Sequence, residues 1–170
     1  MKNSYFIISS ALLLLLQIAT WNFLNLPPLV VICFLPALIL SLPAQRSPST
    51  VLIVAFVAGI VVDFFSHGAL GLSAAALLPV ALLRPLIMKL VFGVDFSIRG
   101  EDISLARYGL RKMVISVAVC TLVFFAVYVP VDSAGTRTLM FNLERIAYST
   151  LASFPLCLVA AALLTSEKWK

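Results

Sequence analysis

Apolar and polar positions fall in long blocks along this chain, and the block from residue 50 to residue 92 carries the most information. It holds two apolar runs, Thr50–Phe65 and Leu70–Phe92, joined by a tight turn, with Asp63 and Arg84 set inside them. A helix that crosses about 30 Å of hydrocarbon needs roughly 20 apolar residues. At that width the chain offers about six spans: residues 5–21, 28–42, 50–65, 70–92, 112–129 and 143–164. The second and third are short and would thin the bilayer or sit partly within a bundle. The connections within the first and second pairs are so short that each pair is expected to form an antiparallel hairpin. The expected fold class is an all-α integral membrane protein, one polytopic domain over residues 1–170.

Lys2 ahead of the first apolar run resembles the start of a secretory signal, but Thr20-Trp21-Asn22 offers no small-x-small cleavage site. A retained first helix is the expectation. With six spans and the amino terminus inside, the cytoplasmic segments hold Lys2, Arg46, Lys89, Arg99, Arg107, Arg111, Lys112, Lys168 and Lys170. The outer segments hold Arg137 and Arg145. The positive-inside rule then predicts both termini in the cytoplasm. Trp21, Tyr128 and Trp169 lie near span ends, where amphipathic rings favour the membrane interface.

Composition strengthens this reading. Hydrophobic residues make up 62% of the chain and charged residues 11%, against about 25% charged in an ordinary soluble domain. The mean hydropathy of +1.13 agrees. Topology and anionic inner-leaflet lipid account for the net charge of +5, which therefore does not point to nucleic acid. Cys33, Cys120 and Cys157 lie inside apolar spans without metal-ligand spacing and read as packing residues. The longest polar stretch, Gly93–Arg111, places Ile103, Ala106 and Leu110 at helical spacing beside Arg107 and Arg111. It reads as an interfacial lead-in to the fifth span, anchored on the inner leaflet or docking a cytoplasmic partner.

Charges inside a span are costly and become functional candidates. Asp63 precedes the turn into the fourth span, whose free amides around residues 68–72 suit an anion, so a turn staple is its simplest role. Ion coupling or a partner contact are the alternatives. Arg84 lies too deep along the fourth span to meet Asp63 and is expected to snorkel to the cytoplasmic face. Pro85 beside it predicts a kink or loosened turn, and with Arg84 it would form a charged groove for a protein or lipid head group. Ala55 with Gly59, and Gly71 with Ala75, form small-xxx-small steps that allow close helix approach. His67 in the outer turn has no ligand-spaced neighbour. No GxSxG, HExxH or phosphate-cradling loop occurs, so neither an enzyme nor a cofactor is expected.

Several of these residues carry a family likeness. The step Leu83-Arg84-Pro85, together with Gly59, Asp63, Phe65-Ser66, Gly71 and Ala74-Ala75-Ala76, resembles the MreD family of rod-shape membrane proteins. Leu16-Gln17 with Asn22, and Leu42-Pro43, fit the same pattern, which covers residues 1 to about 95. The resemblance implies a non-enzymatic scaffold of the bacterial inner membrane. Its implied partners are MreC, the MreB filament, and RodA with its partner transpeptidase, alongside anionic lipids at the cytoplasmic face. It also implies the fold of the substrate-binding subunits of energy-coupling-factor vitamin transporters. Such a subunit is the rival function, although the run Ser10-Ala11-Leu12-Leu13-Leu14-Leu15 lacks the alanine-x-x-x-alanine step those proteins use for docking. A small ion-coupled carrier using Asp63 is a third possibility. On the scaffold reading, Gly59, Asp63, Gly71, Arg84, Pro85, Arg107 and Arg111 are the interface candidates, and Arg84→Ala is expected to weaken partner recovery more than protein level.

Overall fold

The computed structural model describes residues 2–24, 27–43, 45–66, 69–93 and 109–165. The described residues form six helices: α1 Lys2–Phe23, α2 Leu35–Ser41, α3 Pro48–Phe65, α4 Leu72–Phe92, α5 Leu110–Ser133 and α6 Leu139–Leu164. Among the described residues there is no strand. Five of the helices, all but α2, are long and apolar enough to cross a membrane, so the chain is a helical multi-pass membrane protein.

Local chemistry sets several of the helix ends. Ser47 accepts from the Thr50 amide and is followed by Pro48, whose missing amide costs nothing in a first turn. Thr138 caps α6 in the same way through the Phe141 amide. Gly71 precedes α4 at φ 88°, a left-handed conformation that glycine adopts freely. Pro79 and Pro85 both lie inside α4, which stays continuous through them, so the loosening expected at Pro85 does not end the helix.

The second expected span is the main correction. Residues 28–42 do not form one helix; only Leu35–Ser41 is helical, and residues 30–34 run without helical hydrogen bonding. As a helix, those 15 residues would reach about 22 Å at 1.5 Å per residue, short of the hydrocarbon thickness. An extended stretch rises about 3.3 Å per residue; residues 28 and 29 lie in a turn and Phe34 is in the αR region, so four extended and eight helical residues reach roughly 25 Å. Unwinding therefore lengthens the reach of residues 30–41 from about 18 Å to about 25 Å.

Named contacts fix the helix directions. Gln17 and Trp21 on α1 meet Phe34 and Ile32, so the second segment runs antiparallel to α1. Asn22 on α1 donates to the Phe65 carbonyl at 2.9 Å, so α1 and α3 are parallel. Ser149 and Ser153 on α6 meet Val31 and Cys33 in the same order along both segments, so α6 runs parallel to the second one. The start of α1 and the end of α6 consequently share one end of the bundle. Arg46, Lys89, Arg111 and Lys112 lie at that end too, whereas Asp63, Asp132 and Glu144 belong to the other. Across the α5–α6 hairpin Asp132 pairs with Arg145 at 2.6 Å.

Helix α2 sits at the centre, with all seven of its residues buried. Leu35 and Ile39 join Leu77 and Val80 of α4 and Phe124 and Phe125 of α5 in one core. Tyr128 stacks on Phe124 with ring centroids 5.4 Å apart, and Trp21 lies 5.9 Å from Tyr128. Both rings were expected at the membrane interface. They are instead used inside the bundle, where the Trp21 indole donates to the Ile32 carbonyl at 2.6 Å. Trp169 lies outside the described residues. At the periphery, α1 buries Leu13, Gln17 and Thr20 and leaves much of its length facing outward.

Candidate functional site

Non-helical backbone at membrane depth is tolerated where protein surrounds it and its amides and carbonyls find partners. Residues 31–34 meet that demand from two sides. On one edge, the Val31 amide donates to Ser149 Oγ at 2.9 Å and the Val31 carbonyl accepts from Ser153 Oγ at 3.1 Å. The Cys33 amide donates to Ser153 Oγ at 3.1 Å, and the Cys33 carbonyl accepts from Cys157 Sγ at 3.0 Å. On the other edge, the Ile32 carbonyl accepts from Gln17 Nε2 at 3.0 Å, and the Phe34 amide donates to Gln17 Oε1 at 2.6 Å.

Odd residues thus face α6 and even residues face α1, which is the two-residue alternation of a β-strand. Helix side chains replace the neighbouring strands. The registers match because four helical residues rise about 6.0 Å and two extended residues about 6.6 Å. Ser149, Ser153 and Cys157, spaced by four, therefore bracket Val31 and Cys33, with the Ser153 hydroxyl shared between them.

The two intramembrane charges are used at helix ends. Asp63 is buried, and its Oδ2 accepts the Ser73 amide at 2.9 Å, in the first turn of α4. Free first-turn amides and the positive end of the helix dipole favour a carboxylate there. Arg84, 4% exposed, reaches the carboxyl end of α2. Its Nε donates to the Leu40 carbonyl at 3.4 Å and its Nη2 to the Leu42 carbonyl. Those carbonyls lie where a helix runs out of its own donors and its dipole is negative. Arg84 is buried in the bundle and does not snorkel outward. From Ser73 to Arg84 is about 16 Å along α4, so the two charges act at separate levels.

Gly59 lies against α4, where a Cβ built on it would fall 2.4 Å from the Ala74 Cα. The close approach expected of the Ala55–Gly59 step is therefore present and involves Ala74. Gly71 belongs to the turn, and Ala75 is exposed, so the Gly71–Ala75 step makes no packed seam within the bundle. Pro85 and Arg111 are exposed, whereas Arg107, His67 and most of the stretch read as an interfacial helix lie outside the described residues. Among the described residues no three His, Cys, Asp or Glu side chains gather where a metal ion could be held. Cys33 and Cys157 are buried at the strand-like segment, with Cys157 acting as a donor.

Gln17, Ser149 and Ser153 are the residues that sequence reasoning overlooked as a working set. The available signal was the Ser149–Ser153–Cys157 stripe at helical spacing inside an apolar span. With Arg84 committed to α2, Arg84→Ala strips two buried carbonyls of a charged donor. It is expected to cost about 3 kcal/mol, read as a lower melting temperature in detergent and a lower level in the membrane. Loss of partner recovery at unchanged level and melting would contradict this.

No protein-family model matches the chain, and neither the curated proteins nor the solved structures contain a significant match to it.

Proposed function

We propose that this chain is a non-enzymatic scaffold subunit of the MreD type, seated in a bacterial inner membrane. On this reading its basic end, with Arg46, Lys89, Arg111 and Lys112, faces the cytoplasm under the positive-inside rule. It binds MreC, and it links the MreB filament inside the cell to peptidoglycan synthesis by RodA and its partner transpeptidase. The observation that carries the reading is where the polar groups go. Asp63, Arg84 and Gln17 are each bonded to the chain's own backbone, which favours a rigid platform whose task is to present its outer surface.

A second reading has one observation in its favour. Transport proteins often place an interrupted segment at the membrane midplane, and residues 30–34 form one here. That supports a substrate-binding subunit of an energy-coupling-factor vitamin transporter. Against it, the second segment's polar groups are already occupied by Gln17, Ser149 and Ser153.

Affinity purification of the tagged chain from its native membrane separates the two. Co-purification of MreC and the elongation synthases is expected. Recovery of a paired-ATPase coupling module, or of a bound vitamin alone, would transfer the assignment to the transporter.

A further inference from the structure

Helices α1 and α3 are tied at their carboxyl ends by the Asn22–Phe65 hydrogen bond and stand apart towards their amino ends. Between them lies a groove of about 550 Å³, floored by Leu38, Leu42 and Ala58, with Ala11 and Leu14 on one wall and Val57 on the other. It opens sideways, beside Ile7 and Ile53, which are exposed on the outer surface of the two helices. From Thr50 to Val61 it follows α3 for about 16 Å at 1.5 Å per residue. At its mouth stands the exposed side chain of Arg46, in the turn between α2 and α3.

We propose that this groove binds one anionic phospholipid, with an acyl chain lying along α3 and the phosphate paired with Arg46. Two properties select that occupant. The groove is long and lined almost wholly by apolar side chains, with Ser10, Arg46 and Thr50 the polar residues of its lining. An unbranched acyl chain is narrow enough to lie within the existing walls. The mouth lies at the end of the bundle that carries Lys89, Arg111 and Lys112, where basic side chains attract an anionic head group. Thr50, whose hydroxyl lies 2.8 Å from Ser47 Oγ, adds a polar group beside Arg46. The proposal does not rest on the scaffold reading, and its test involves no other protein.

The purified full chain is placed in phosphatidylcholine nanodiscs doped with phosphatidylglycerol carrying a diazirine in one acyl chain. Photolysis and peptide mass spectrometry then locate the adducts. Labelling is expected to concentrate on residues 6–14 and 50–61 and to fall about fivefold in Arg46→Gln, from the attraction one basic side chain exerts at an anionic surface. Ala11→Phe, which fills the groove from an exposed position, is expected to abolish labelling of α3 without altering that of α5 and α6. A diazirine phosphatidylcholine that labels the groove as strongly would overturn the proposal. So would adducts spread evenly over all outward helix faces, adducts to a second copy of the chain in the groove, or labelling unaffected by Arg46→Gln.

Discussion

Gly59→Ala is expected to pull α3 away from α4 and to destabilise the protein by about 3 kcal/mol, the upper range for an overpacked core. The added methyl would lie 2.4 Å from the Ala74 Cα and 2.5 Å from its amide nitrogen. Those are backbone atoms of a helix, so no side-chain rotation relieves the clash. The damage should extend one turn along α3, because Asp63 reaches the Ser73 amide only while the two helices are this close. Gly59→Val should prevent stable folding. Ala75→Leu supplies the control: Ala75 is exposed, so the larger side chain should change stability by less than about 0.5 kcal/mol. Thermal unfolding in detergent measures all three, and a tolerated Gly59→Ala would refute the close approach.

Gln17→Leu is the second large effect. The Gln17 side chain is fully buried and holds both the Ile32 carbonyl and the Phe34 amide. Leucine fills similar space and leaves the Phe34 amide unpaired in apolar surroundings, at about 1–3 kcal/mol, while the Ile32 carbonyl keeps only the Trp21 indole. Gln17→Glu keeps an acceptor for the Phe34 amide and, protonated in these apolar surroundings, offers its O–H to the Ile32 carbonyl, so it should be the milder change. Ser153→Ala attacks the same segment from its other edge, at the Cys33 amide and the Val31 carbonyl. Because both residues grip one short stretch of backbone, the double variant should depart from additivity. Additive losses would mean that the two edges do not act on a common element.

Much of the architecture was legible because apolar length reports directly on membrane crossing. The first, third, fourth, fifth and sixth expected spans all fall inside observed helices, apart from the first residues of the fourth. Asp63 was also legible, since a carboxylate before a tight turn into a helix has free amides to bind. The second span was misread because hydropathy measures where a segment sits, not how its backbone is wound. Pro36 carried a hint: a proline eight residues into a supposed helix suits a helix that starts at Leu35. Arg84 could not be placed from sequence, since its role depends on α2 ending at Ser41 beside it. The ladder was hidden for a similar reason. Gln17 lies 15 residues from Ile32, and Ser153 lies 120 from Cys33, separations that no local pattern reports.

The backbone state of residues 31–34 is the point on which the fold and the use of its buried polar groups both turn. Isotope-labelled protein in nanodiscs gives it through the Cα and Cβ chemical shifts of Val31, Ile32 and Cys33. Strand-like shifts at these residues, switching to helical shifts from Leu35, are the expected result. Helical shifts running unbroken from Pro28 to Leu42 would contradict the account, because Gln17, Ser149 and Ser153 would then have no open backbone to hold.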